Sequence, residues 1–212
     1  AVCEFRFSPD SPWDLAIPGL IYEKVRDPFS ERRQARVVEA SLSESAEGLQ
    51  QRVMASQRMQ FLRPDETALI QVGQHLLAVN QLQPYAGWEA FLPLIQQGFT
   101  AYTEVTGAKA VERIGLRYIN RIEVPDTTPD LEEYLQFRPY LGPDLPREIT
   151  SFIVGVELKF EDGKDALRLH LANDAGAGPG TKAFLLDLDY FTCQPGAVGL
   201  PQVYDWLGTA HH

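Results

Sequence analysis

ERIGLRYINRIEVP, residues 112–125, decides how the chain is read. Taken as a β-strand, it places Arg113, Arg117 and Arg121 on one face and Ile114, Leu116, Tyr118 and Ile122 on the other, because strand side chains alternate. A strand charged on one side and apolar on the other fits an antiparallel sheet with one solvated and one covered face.

The flanking sequence supplies the cover. Over residues 86–106, Trp88, Leu92, Ile95, Phe99 and Tyr102 recur at spacings of three and four, which predicts a helix with one apolar stripe for the sheet. Gly107 is placed to cap it, and Pro93 implies either a later start or a kink. Upstream, AVCEFRF alternates as a half-buried strand, and Pro18 followed by Leu20, Ile21, Tyr22 and Val25 suits a short helix with proline in its first turn. RQARVVEASL reads as a second strand, while SESAEGLQQRVMAS is polar enough to read as loop or frayed helix. QRMQFLRPDETALIQVGQHLLAVNQL reads as a hairpin turning at Pro64 and Asp65, with Gly73 a bulge in a long second strand. Downstream, a proline-rich connection with one helical turn at Leu131–Phe137 leads to three strands, ITSFIVGVELKF, ALRLHLAN and KAFLLDLDYFTC. The first two are joined by EDGK, whose Asp-Gly is a short-hairpin signal. Leu200, Val203, Trp206, Leu207 and Ala210 give a closing helix. This order lacks the regular βα alternation of a parallel sheet. The expectation is one α+β domain over 1–212, an antiparallel-dominated, twisted sheet with two or three helices on one face.

Composition narrows the function classes. A formal charge of −10 argues against a nucleic-acid binder acting through its whole surface, since that binding rests on neutralising phosphates, and favours solubility or a basic protein partner. Cys3 and Cys193 sit in apolar strand patterns and read as small core residues, so a reducing, cytoplasmic setting is expected. No run approaches the roughly 18 apolar residues of a membrane span, and no signal peptide is read. The first residues are already strand and the last stop inside a helical pattern, so a longer native chain, trimmed at both ends, is expected.

One surface carries the candidate chemistry. The polar strand faces offer Glu4 and Arg6; Arg113, Arg117 and Arg121; Glu157 and Lys159; Arg168 and His170; Asp187 and Asp189. Opposite charges on neighbouring strands pair as an ordinary ion ladder, each pair contributing roughly 0.2–1 kcal/mol. Alternatively the rows converge on an anionic small ligand or a metal-bound phosphate, since arginine forks bind phosphate bidentately and carboxylates hold magnesium. The candidate ligand-binding set is then Arg113, Arg117, Arg121, Glu157, His170, Asp187 and Asp189. Triphosphate-tunnel enzymes use such strands, but their opening Glu-x-Glu-x-Lys pattern is absent, Val2, Glu4 and Arg6 standing there instead. No catalytic residue is assigned and no metal or cofactor is called for. NDAGAGPGTKAF, residues 173–184, departs from the phosphate-loop pattern, because Thr181 separates Gly180 from Lys182 and strand follows. A hairpin connection is expected. His75 and His170 lack metal-ligand spacing, though His170 with Asp187 and Asp189 forms a site if their strands are neighbours. Trp13, Trp88 and Trp206 are assigned to apolar helix faces.

AVCEFRF, YAGWEAFLPLIQQGFTAYTEV, RIGLRYINRIEVP and DWLGTAH together resemble a sporadically distributed bacterial family marked by a RIGLRYINRIE-type strand. The resemblance implies a terminal helix running on past His212 and implies no reaction. Patchy distribution is associated with conflict genes such as antiphage and toxin–antitoxin systems. The expectation is a non-enzymatic interaction or regulatory module, possessing a protein partner, with a metal-dependent phosphate- or nucleotide-processing enzyme as the alternative.

Overall fold

The computed structural model describes the whole chain except residues 46–47, 127–133, 146–148 and 177, and of residues 38–55 and 161 it describes the backbone alone. The described chain is an α+β protein whose registered strand pairs are all antiparallel. It divides into two compact units, residues 1–114 with 195–212, and residues 115–194.

In the first unit, β1 (Val2–Phe7), α1 (Ile17–Val25), β2 (Glu31–Ser45), β3 (Gly48–Leu62), β4 (Ala68–Gly73), β5 (Leu76–Gln81) and α2 (Trp88–Thr106) follow in chain order. The strand order is β2-β3-β4-β5-β1. β1 alternates as its sequence dictates, with Cys3, Phe5 and Phe7 buried and Glu4 and Arg6 half-exposed. α2 lies against β5, where Gly98 lets the helix approach closely: a Cβ there would stand 2.9 Å from Val79 Cγ2. Phe7 stacks on Tyr102 at 4.3 Å and Phe5 meets Phe99 at 4.8 Å. Burying such side chains is worth about 1.5–3 kcal/mol each. Gly107 ends α2 at φ 63°, its N–H donating to Thr103 O. The helix starts late, at Trp88, and Pro93 is kept inside it; its buried side runs through Phe91, Leu94, Ile95, Gly98 and Tyr102, with Trp88 and Leu92 at the margin.

The second unit holds β6 (Val111–Pro125, from Gly115 onward), β7 (Ile153–Phe160), β8 (Asp165–Asp174) and β9 (Thr181–Thr192), in the order β6-β9-β8-β7. Its core is Val124, Leu135, Leu171 and Phe184, with Ile122, Phe137, Phe152, Val154 and Leu186 against it. The β7–β8 connection has Asp162 at φ 53° and Gly163 at φ 85°, the left-handed pair an Asp-Gly hairpin requires. α3 (Val203–His211) belongs to the first unit and buries Val203 and Leu207.

Several expectations are corrected. Much of the polar stretch read as loop is strand: β2 and β3 pair from Glu31↔Leu62 to Ser45↔Gly48, whereas β4 pairs only Met59–Leu62 of β3. Backbone hydrogen bonds alone can extend a two-stranded ribbon, so its polar composition misleads. Gly73 is no bulge; it ends β4, and a turn through Gln74 and His75 makes β5 a separate strand, with His75 at φ 56°. Of the turn expected at Leu131–Phe137, residues 134–137 are turn and bend, and 131–133 lie outside the described residues. Cys3 is buried but Cys193, just past β9, is exposed, and Trp13 precedes α1 rather than lying on it.

Candidate functional site

Registers in the second unit put most of the charged rows on one face. Arg117 lies opposite Asp189, Asp189 opposite Arg168, Asp187 opposite His170, and Arg168 opposite Glu157. Since cross-strand partners share a face, Arg117, Arg121, Glu157, His170, Asp187 and Asp189 lie together on it. Arg113 belongs to the first unit, where its Nη1 stands 3.8 Å from Glu4 Oε1, the oxygen that also accepts from Arg6 Nε at 2.8 Å.

Each arginine of the row has a carboxylate within reach. Arg117 donates twice to Asp187, at 2.7 and 2.6 Å, in the fork geometry that guanidinium and carboxylate favour. Arg121 donates to Asp174 Oδ2 at 2.5 Å, to the Gly176 carbonyl at 2.7 Å and to Glu123. It thereby ties β6 to the start of the β8–β9 loop, the hairpin connection that the sequence led one to expect. The hydrogen bond from Arg121 holds the Asp174 carboxyl below its ordinary range, helped by the Gly176 N–H, and the same pairing raises Arg121.

Glu157 accepts from Arg168 at 2.8 Å rather than from the β6 row. β6 and β7 are separated by β9 and β8, about 14 Å at ordinary strand spacing, so basic and acidic rows alternate across the sheet instead of meeting at one point. His170 does neighbour Asp187, and Gly155 opposite gives it room: a Cβ on Gly155 would stand 2.4 Å from His170 Cδ2. An anion arriving at this face would have to displace a carboxylate from each arginine it used. Among the described residues no three of His, Cys, Asp and Glu group as a metal-holding set.

The opposite face carries what the sequence reading passed over. Val124, Phe184 and Leu171 are covered, but further along Val156, Leu158 and Phe160 of β7 are 40%, 46% and 42% exposed. The signal was present in IVGVELKF, whose apolar residues alternate; what covers them is a tertiary matter. In the first unit Arg58 and His75, also passed over as site residues, line a cavity.

The class that fold and site define is an antiparallel α+β protein with an ion-paired sheet face and an apolar edge strand. No helix among the described residues is long and apolar enough to cross a membrane. No family model, curated protein or solved structure matches the chain.

Proposed function

We propose that the protein is a non-enzymatic interaction module and that β7 is its docking edge. The observation supporting this is the exposure of β7. It ends the strand order, contains no proline, and is exposed at every residue except Val154, with Ile153 at 78%. An edge strand offers unpaired N–H and C=O groups at alternate residues, and an incoming strand completes them.

The occupant that best fits β7 is a second copy of it. Antiparallel pairing about a two-fold axis at Leu158 sets Leu158 against its own equivalent, Val156 against the second copy's Phe160, and Glu157 against the second copy's Lys159. Apolar then meets apolar on one face and opposite charges meet on the other. Centring the axis on Glu157 or Lys159 would bring like charges together, whereas centring it on Leu158 sets Glu157 against the second copy's Lys159.

Sedimentation or light scattering of the full chain tests this. The wild type should dimerise with rising concentration, Lys159→Glu should be monomeric, and adding Glu157→Lys to it should restore the dimer. A wild type monomeric at about 100 μM, beyond the micromolar range of a specific interface, or a Lys159→Glu variant that dimerises as well as wild type, overturns the reading.

A further inference from the structure

β2 begins the strand order of the first unit: β3 pairs with it on one side along its whole length, and among the described residues no strand lies on the other. A strand so placed turns the N–H and C=O groups of alternate residues outward, and such edges are ordinarily blunted by proline, a bulge, a short length or charge. β2 has 15 residues, no proline and an unbroken register with β3. What it carries is arginine, and charge on an edge repels like edges while inviting an opposite one.

Arg32, Arg33 and Arg36 stand close together at the start of β2, and all three are exposed. In a chain of net charge −10, such cations are expected to find carboxylates, as Arg117 and Arg121 do. These three do not. Among the described residues, Arg32 lies over the Tyr22 ring at 5.1 Å, Arg33 donates from Nε to Gln60 Oε1 at 2.7 Å, and Arg36 has no partner. Neither contact neutralises a charge. Gln60 donates in turn to Gln71 at 3.1 Å, so a run of amides across β3 and β4 holds Arg33 in place without using its terminal nitrogens. Glu31 is the one carboxylate in residues 31–37, which leaves this stretch of the edge basic.

Register sorts the three charges by face. Arg32 and Arg36 lie opposite Phe61 and Gln57 on one face, about 13 Å apart along the strand, and Arg33 lies opposite Gln60 on the other.

We propose that the β2 edge takes up an extended acidic segment of a partner protein, added to the sheet as an antiparallel strand. Its backbone completes the outward N–H and C=O groups, and carboxylates at its first, fourth and fifth positions meet Arg36, Arg33 and Arg32 in turn. A carboxylate arriving here displaces water rather than another carboxylate, which separates this edge from the β6 row. The pattern favours a peptide over a nucleic acid. A polyanion runs past the arginines on to a chain that is acidic overall and has no amides for the edge, whereas a short strand sets its charges only against the arginines. The site lies in the first unit and is independent of the pairing proposed for β7.

Fluorescence anisotropy of the full chain with the labelled peptide Thr-Val-Glu-Val-Thr-Glu-Glu-Lys-Thr tests this, the lysine falling opposite Glu31. Saturable binding is expected. It should weaken at least tenfold when the three glutamates are replaced by glutamine, and at least tenfold with Arg36→Glu, a change at an exposed side chain. Lys109→Glu, at an exposed cation elsewhere in the same unit, should bind as wild type. Only alternate amides of an added strand face β2, so N-methylation of one alternate set should abolish binding and methylation of the other should leave it largely intact. No saturation at about 1 mM protein, undiminished binding of the glutamine peptide, equal effects of the two methylated sets, or tighter binding of an oligothymidylate of the same length, overturns the proposal.

Discussion

Removing the fork between Arg117 and Asp187 measures whether the arginine row is held by carboxylates. The two donated hydrogen bonds at 2.7 and 2.6 Å join side chains that are 47% and 19% exposed. Half-open geometry screens the attraction, so the pair belongs at the upper end of the surface range, a coupling of about 0.5–1 kcal/mol. Arg117→Met should therefore lower stability by roughly that amount. Asp187→Asn should cost less, because Asp189 stands directly across from Arg117 and offers a second carboxylate. The double variant yields the coupling term free of either side chain's other contacts. Urea unfolding must be followed by far-ultraviolet circular dichroism or by hydrogen exchange of β9 amides, because Trp13, Trp88 and Trp206 all lie in the first unit and their fluorescence would miss a local loss in the second. Raising salt from about 0.1 to 1 M shortens the screening length from about 10 to 3 Å and should remove most of the coupling. Arg117→Met raising the stability, or a coupling indistinguishable from zero at low salt, would refute the ion-ladder account and return the row to the status of a repulsive, ligand-awaiting array.

Three further outcomes follow from particular contacts. Gly98→Ala gains about 1 kcal/mol of helix propensity but drives a methyl to 2.9 Å from Val79 Cγ2 in a closed core, where overpacking costs typically 1–3 kcal/mol; a net loss of up to about 2 kcal/mol is expected from urea unfolding followed by tryptophan fluorescence. Asp174, held below its ordinary carboxyl range by Arg121, contributes stability that is fully present above the unfolded value near 3.9 and is lost as pH falls through the lower folded value, so Arg121→Gln should return its carboxyl titration, followed by NMR, toward that ordinary value. A thiol reagent at pH 8 should label Cys193 quickly and leave Cys3 unmodified in the folded chain, since burial raises the Cys3 thiol well above its ordinary range and shields it; equal rates at both would contradict the packing of β1.

Legibility divides along the range of the interactions concerned. Alternation in β1, the stripe and glycine cap of α2, and the Asp-Gly connection of β7 to β8 are fixed by neighbours within a few residues, and they stand where the sequence puts them. The β2–β3 ribbon and the break at Gln74–His75 were misread because they depend on pairing partners rather than on local polarity. A histidine at φ 56° leaves no mark that a Gly-seeking eye would notice. For the candidate site, parity placed Arg117, Arg121, Glu157, His170, Asp187 and Asp189 on one face, but the order β6-β9-β8-β7, which spaces the row from Glu157, is a property of topology. Exposure is less legible still: IVGVELKF and the core strands share one pattern, and only the finished sheet shows that nothing described covers Leu158.

Arginine in this chain shows why residue type alone is a poor pointer to a site. Arg117 and Arg121 are solvated at one side and engaged with acids at the other, so an anion gains little there: it must replace a carboxylate already bound and compete with water for the remainder. Arg58 has the same charge in a different medium. At 5% exposure, beside a cavity and two buried donors, every electrostatic contact it makes is worth more and its desolvation has already been borne in folding. Binding free energy depends on what is surrendered when the ligand arrives, and Arg117 and Arg121 each surrender a bound carboxylate. The conspicuous row in ERIGLRYINRIEVP is therefore a weak candidate for a ligand, although nothing in that stretch of sequence says so.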